Sequence, residues 1–497
     1  MRKILIVGGG TAGWMTAALF GKLFQGLYDI ELVESEAIGT VGVGEATIPA
    51  IKKYNDLVQL DEAEFMQRSQ ATFKLGIQFV DWLRDGHSYI HPFGPIGQDW
   101  EWLRCHHYWL RANQRGRARD FADFSINCAA ALKNKFMHAR TDMADSPISH
   151  IAHAFHFDAS LYAKYLRGLS EQHGVKRTEG KIVDVGVSEN GDIASVTLEG
   201  GRKLDADFFV DCSGFRGLLI GQTLGTEYED WTHWLPCDRA MAVPCARVDP
   251  LIPLTRSTAR APGWQWRIPL QHRTGNGLVY SSKHIDDDAA EALLLANLDG
   301  EQLANPNRLR FTTGKRKQMW VRNCVALGLS AGFLEPLEST SIHLVQSAAI
   351  RLVRLFPDGE LDQATIDEFN RQCDFEWERV RDFIILHYWA NERKGEFWEY
   401  CRTMELPVTL QRKIDLWRSN GRIFRENEEL FSEESWIQVF LGQGIVPRGY
   451  DPLVEIKSDA QIEQFLGNIA ATIERCVEVM PAHNEYLAKF CQGKPVA

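Results

Sequence analysis

Gly8, Gly10 and Gly13 stand in the stretch GGGTAGW (8–14), and an acid, Glu34, closes the next apolar run. This spacing suits a dinucleotide. Gly8 permits a tight turn, Gly10 lets the backbone approach a pyrophosphate, and Gly13 lets a helix pack closely on a strand. Thr11 and Ala12 open that helix, where unpaired N–H groups and the helix dipole favour phosphate oxygens. Glu34, roughly 20 residues on, is placed to hold ribose hydroxyls, and an acid there disfavours the 2′-phosphate of NADP. The alternative is a glycine-rich turn in some other α/β unit; strand, helix and acid in register favour the dinucleotide. A second stretch, Asp211-Cys212-Ser213-Gly214 after a buried apolar run, points to FAD rather than NAD. No second GxGxxG follows, so a separate NAD(P)H-dependent flavin reductase, or NADPH bound transiently, must reduce the flavin. A third constellation is GWQWRIP (263–269), with Trp264, Trp266 and Ile268 on one face of an extended strand and Gln265 and Arg267 on the other. Two neighbouring indoles make either a wide apolar wall beside a ligand or a plain core strand.

The elements that must carry these residues follow from local pattern. Ile4–Val7 reads as a strand buried on both faces, with helical apolar spacing after Gly13. YDIELVES (28–35) is the next strand, and 160–174 a helix that Gly174 stops. Residues 181–211 alternate as strand–turn–strand about Asn190–Gly191 and end in the apolar run before Cys212. Extended pieces fill 235–285, and 323–333 is a strand entering a glycine turn. A helix over 341–357 has Ile342, Val345, Ala349, Leu352 and Phe356 on one stripe, and the rest is mainly helical and Trp-rich. Without repeats or low-complexity linkers, the domains are expected to interleave. The fold class is α/β: an FAD-binding Rossmann-like domain of the glutathione-reductase or aromatic-hydroxylase type from 1–50, 150–230 and 315–357, a mixed substrate domain from 51–149 and 231–314, and a mainly helical part over 358–497 covering the substrate site.

With 497 residues, 45% hydrophobic and 24% charged, the chain reads as soluble and globular. A net charge of −11 argues against nucleic acid as a partner. Fifteen Trp and 26 Phe suit aromatic-lined cavities or a large aromatic core equally. The ten cysteines are scattered without a CxxC pair, so no metal site is expected and reduced thiols in the cytoplasm fit. The apolar run after MRK is too short for a signal peptide, and no run reaches roughly 18 apolar residues, so no membrane span is expected.

Over nearly its whole length the chain resembles the flavin-dependent tryptophan halogenase family. GGGTAGW at 8–14, GVGEATIP at 42–49, FKLGIQF at 73–79, GWQWRIP at 263–269 and FLEPLESTSIHL at 333–344 carry the likeness. The W-x-W-x-I-P signature is highly specific; the glycine fingerprint is shared with many flavoproteins. The resemblance implies that Trp264 and Trp266 form a wall beside the flavin that keeps substrate from it and suppresses ordinary monooxygenation. It implies that reduced FAD, oxygen and chloride or bromide give hypohalous acid, which crosses a tunnel to a lysine beside an indole-type arene. Lys74 matches that lysine; amid Phe73, Leu75 and Ile77 it is either a desolvated amine of lowered pKa or a surface lysine snorkelling from an apolar strand. Glu338 matches the family's catalytic glutamate, which can stabilise a cationic ring intermediate and take its proton, whereas Glu335 is a neighbouring carboxylate without that match. Thr340 and Ser341, at a helix start, match the halide site, and Leu329 and Ile342 match positions whose backbones touch FAD. His91 and Phe93 match substrate-pocket residues, Phe93 as a stacking partner.

Departures bear on substrate and halide. Ser341 stands where better-known members have glycine, which changes cavity shape and leaves bromide open as the preferred halide. Around 436–450 the tyrosine pair and acid that hold free tryptophan are missing and Arg448 is out of pattern, so a bare indole or another electron-rich arene is at least as good an expectation. The alternative function is an FAD-dependent aromatic monooxygenase of the same fold. A homodimer is compatible with the sequence.

Overall fold

In the computed structural model, which describes residues 2–36 and 44–491, the strand Lys3–Val7 lies inside a six-stranded sheet. The first two residues of GVGEATIP lie outside the described residues. Ile4, Leu5 and Ile6 have no exposed surface, as expected of a strand covered on both faces. The sheet runs Trp320–Val321, Cys324–Ala326, Phe208–Asp211, Lys3–Val7, Asp29–Glu34, Lys176–Glu179, parallel throughout except for the hairpin at its 320–326 edge. Its strands therefore come from three separated stretches of chain. The helix Thr11–Leu23 packs against the helices Ala159–Gln172 and Ser341–Arg354. The helix expected over 160–174 is capped at its start by the Asp158 carboxylate and is followed by Gly174 in the left-handed region. The helix expected to reach 357 stops at Arg354, and the strand expected over 323–333 spans Cys324–Ala326 before turning at Gly328, φ +73°.

A second sheet of seven strands runs Asn307–Arg310, Arg239–Ala246, Arg273–Tyr280, Gly263–Pro269, Leu254–Arg260, Gly76–Val80, Ser88–Pro92. The Trp strand is near its centre, with Trp266 registered against Gly277. A Cβ at Gly277 would meet the Trp266 ring at 2.0 Å, so the indole lies flat over that glycine. The face of the Trp strand expected to be polar is also covered: Gln265 is buried, donates to the carbonyl of Asn297 and accepts from Arg260. A third, three-stranded sheet pairs Ala154–Asp158 with both Gly44–Ala46 and Thr72–Lys74, setting Lys74 opposite Ala154.

The C-terminal part begins with the 27-residue helix Gln363–Trp389, capped by Asp362. Its last turn delivers His387 and Tyr388, both without exposed surface, into the interior. Among the described residues five further α-helices follow, including Glu433–Gly442, which packs on the strand Ser88–Pro92. Among the described residues no helix is long and apolar enough to cross a membrane.

Candidate active site

A cavity of about 650 Å³ opens at the C-terminal end of the parallel sheet, where the glycine turn meets the Trp strand. Gly8, Gly10, Thr11, Ala12, Glu34, Leu329, Ser341 and Ile342 all line it. Gly13 does not: it is buried in the turn, where a Cβ would stand 1.8 Å from the carbonyl oxygen of Gly8. At Gly8, φ +117°, a Cβ would stand 2.2 Å from the carbonyl oxygen of Cys212. Gly10 is the opposite case, with nothing within 4 Å of the position a Cβ would take. The open space above Gly10 is what a pyrophosphate needs, so the cradle fits a dinucleotide such as FAD. Position 9, which the fingerprint leaves free, is constrained here too: a Cβ at Gly9 would fall 1.5 Å from Glu34 Oε2. Glu34 Oε1 accepts a 2.5 Å bond from Arg177 Nε, which fixes the carboxylate beside Gly9. Asp211 is fully buried and takes no place on the cavity wall; it accepts from the backbone of Ser213, Leu219 and Ile220, holding Cys212, Ser213 and Gly214 against the cavity.

These geometries separate two roles for glycine. Gly10→Ala is expected to fold with the parent's thermal stability and to bind FAD at least about tenfold more weakly, read by quenching of flavin fluorescence. Gly13→Ala is expected to lower the melting temperature itself, because its methyl meets backbone.

Lys74 has no exposed surface. Its Nζ donates to Ser339 Oγ at 2.7 Å and lies 5.3 Å from the centre of the Phe93 ring. Burial pushes its pKa down to about 7, against an opposing pull from Glu338. Ser339 also lines the large cavity, so one residue meets both that cavity and the lysine. It holds a left-handed backbone, φ +59°, in the short turn Pro336–Glu338 to Ser341, which turns Glu338 and Ser341 to different sides. Glu338 is buried beside two imidazoles. His91 Nδ1 lies 2.8 Å from Oε2, and His387 Nε2 stands 2.7 Å from Oε1 in ion-pair range without hydrogen-bond alignment. His387 Nδ1 instead donates to the carbonyl of Phe383 at 3.0 Å. Burial alone would raise the Glu338 pKa, but the two histidines outweigh it and hold it at about 2.

Glu335 is fully buried but faces elsewhere. Its Oε2 accepts from Trp264 Nε1 at 2.8 Å and from the Tyr388 hydroxyl at 2.5 Å, and burial raises its pKa to about 7. The Trp pair therefore divides its work. Trp266 lines the large cavity. Trp264 does not line it; it packs on Trp82 with ring centres 6.3 Å apart and anchors the strand through Glu335. Thr340 forms the N-cap of the helix Ser341–Arg354, buried, with its hydroxyl unpartnered among the described residues, and the first-turn N–H groups beside it are the natural anion donors. His91, expected in the substrate pocket, is bonded to Glu338 and packed near Phe383 and Phe431, with ring centres 5.6 and 6.3 Å away. A smaller cavity of about 190 Å³ begins two residues beyond Phe93, between Pro95–His106 and Glu434 and Ile437 of the helix Glu433–Gly442. The out-of-pattern Arg448 is exposed.

Ser339 beside Lys74, His387 beside Glu338 and Tyr388 beside Glu335 are contacts that the sequence did not announce. Ser339 had one available signal, its place between two residues of assigned role; nothing local marks His387 or Tyr388, which a long helix brings in from about 50 residues away.

Comparison with known proteins places the chain in a family. The tryptophan halogenase family model matches residues 3–459. A solved flavin-dependent halogenase from Xanthomonas campestris is 47% identical, with a TM-score of 0.97, over 100% of this chain and 99% of that one. Another, from Brevundimonas sp. BAL3, is 45% identical with a TM-score of 0.95 over 98% and 99%. A tryptophan 6-halogenase from Streptomyces toxytricini is 33% identical over 99% of this chain and 98% of its own length.

Proposed function

The chain belongs to the tryptophan halogenase family of flavin-dependent enzymes, and from that premise we propose that it halogenates a small electron-rich arene of the indole type at Lys74, with oxidant made in the adjoining flavin cavity. The observation that carries this reading is the Lys74–Ser339 contact: a lysine with no exposed surface, bonded to a residue of the flavin cavity wall. Gly8, Gly10, Thr11, Ala12 and Glu34 would hold reduced FAD delivered by a separate flavin reductase, and the bound flavin would supply, with dioxygen, the oxidising equivalent that turns halide into hypohalous acid. Thr340 and Ser341 hold chloride or bromide at the helix N-terminus. Trp266 blocks the arene from the flavin side. Ser339 marks the passage, and the Lys74 lone pair, freed by the lowered pKa, takes the halogen from hypohalous acid: an N–X bond forms, the O–X bond breaks, and hydroxide leaves with the amine proton as water. Phe93, under the amine, offers its face to the arene. Glu338, ionised at every working pH, stabilises the ring cation and takes its proton. A weak base suffices there, because a cationic ring is a strong acid.

The test supplies FAD, an NADH-dependent flavin reductase, oxygen, bromide and indole, followed by mass spectrometry. A two-isotope bromine pattern is expected. A gain of one oxygen would instead make the protein an aromatic monooxygenase, and unchanged substrate with reduced flavin consumed would remove indole from the substrate range. Glu335→Gln is expected to keep product formation within a few-fold of the parent, since an amide oxygen accepts both bonds that Trp264 and Tyr388 give. A collapse of activity in that variant with the fold intact would move the catalytic carboxylate from Glu338 to Glu335.

A further inference from the structure

Behind the lysine strand, away from the flavin cavity, Glu62, His138 and His153 converge, offering one carboxylate oxygen and two imidazole nitrogens all within 4.8 Å of one another. The sequence expectation of no metal rested on cysteine spacing, and these residues come from three separate stretches of chain. Glu62 is the first residue of the short helix Glu62–Arg68, His138 lies in a loop, and His153 immediately precedes the strand Ala154–Asp158. His138 Nε2 is 2.5 Å from Glu62 Oε1, and His153 Nε2 is 3.6 Å from Oε2. Two further features point to a ligand. His153 is 2% exposed, yet its Nε2, aimed into the cluster, has no hydrogen-bond partner among the described residues. His138 places its other nitrogen, Nδ1, 2.6 Å from the Tyr486 hydroxyl, the outer partner that fixes a metal-binding imidazole with Nε2 forward. The cluster is walled by aromatic rings, with Phe73 at 5.2 Å from His138 and 5.5 Å from His153 between ring centres. Glu62 and His138 keep 28% of their side-chain surface exposed, which leaves a path from solvent.

We propose that Glu62, His138 and His153 bind a borderline divalent cation of the zinc, cobalt or nickel class, with water as fourth ligand. Two imidazoles and one carboxylate are a ligand set for such ions, and harder calcium or magnesium would want more oxygen donors. Bond lengths of about 2.0–2.1 Å require ligand atoms about 3.3 Å apart in a tetrahedron, so Glu62 and His138 must part slightly and His153 close slightly. The ion would fasten the helix start at Glu62 and the 138 loop to the strand whose Ala154 pairs with Lys74. Its role is to brace the lysine strand from the side opposite the substrate; Phe73 and Lys74 point to opposite faces of that strand.

The test uses the full-length flavin-loaded protein. After dialysis against zinc and then against metal-free buffer, one equivalent of zinc per chain is expected by elemental analysis. Cobalt is expected to give the visible d–d bands of a four-coordinate site, and zinc to raise the melting temperature. Glu62→Gln and His138→Gln, both at partly exposed positions, are each expected to weaken binding at least about tenfold and to lose the cobalt bands while staying folded. Sub-stoichiometric zinc, or cobalt bands unchanged in Glu62→Gln and His138→Gln, would overturn the proposal and leave a hydrogen-bonded cluster only.

Discussion

Lys74→Met is expected to abolish halogenation and at the same time to stabilise the fold. The two effects have one cause. The amine has no exposed surface, and burial lowers its pKa from 10.5 to about 7, a change worth roughly 5 kcal/mol against the charged form. The sign follows from linkage. The unfolded chain keeps the lysine proton up to its higher pKa while the folded chain releases it near 7, so the parent's stability rises with pH across that interval. Methionine fills similar volume without an amine to desolvate, and His91 and His387 still face the Glu338 carboxylate, so the desolvation cost is removed without leaving that anion alone. Urea denaturation at neutral pH is expected to show a more stable variant whose stability no longer climbs on this group's account above pH 7. Flavin binding is expected to be unchanged, because the flavin cavity meets Ser339 rather than the amine. In the parent, single-turnover halogenation is expected to rise through about pH 7 as the free amine appears. A rate that falls through the same range would assign the working form to the ammonium. Halogenation retained in Lys74→Met would take Lys74 out of the mechanism.

Glu338→Gln carries the second large effect, a loss of about 10²–10⁴-fold in rate with FAD affinity near the parent's. The carboxylate is held at about 2 by His91 and His387, so it is anionic throughout the working range, and the variant removes a full negative charge from a buried site. The amide keeps the shape and can still accept from His91, which separates charge from packing. Because Glu338 titrates far below neutrality, the pH dependence near 7 should persist in the residual activity of the variant. It should shift to lower pH, since Glu338 is the group that raises the lysine pKa against burial. A variant as fast as the parent would contradict both the base and the charge-stabilising role. Contrasted with Glu335→Gln, the pair tests whether two carboxylates three residues apart, both buried, do different work: one is tied to an indole N–H and a phenol, the other to two imidazoles beside an amine.

Local rules made the flavin half of the molecule legible. A buried strand, three glycines and an acid at fixed spacing are set by contacts within one β-α-β unit, so Gly8, Gly10, Gly13 and Glu34 could be given roles from their positions alone. The Trp strand was legible as a strand, because period two is local, but which indole faces the flavin was not. Trp266 lines the cavity and Trp264 bonds Glu335 because other strands and the Gln363–Trp389 helix decide what lies over each ring. The same holds for the lysine. Its neighbours in sequence alone favoured a snorkelling surface residue, and only the family resemblance pointed to a desolvated amine; in the structure, residues 72–74, 93 and 336–341 close around it and leave it without exposed surface. Ser339, His387 and Tyr388 owe their places to a left-handed turn and to the end of a helix, and Glu62, His138 and His153 to the meeting of a helix start, a loop and a strand. Short-range spacing thus announced a dinucleotide site, and the resemblance carried by whole motifs announced a family. Burial, and with it the amine's lowered pKa and the carboxylate's imidazole partners, depends on residues hundreds of positions apart, and only the tertiary structure brought those together.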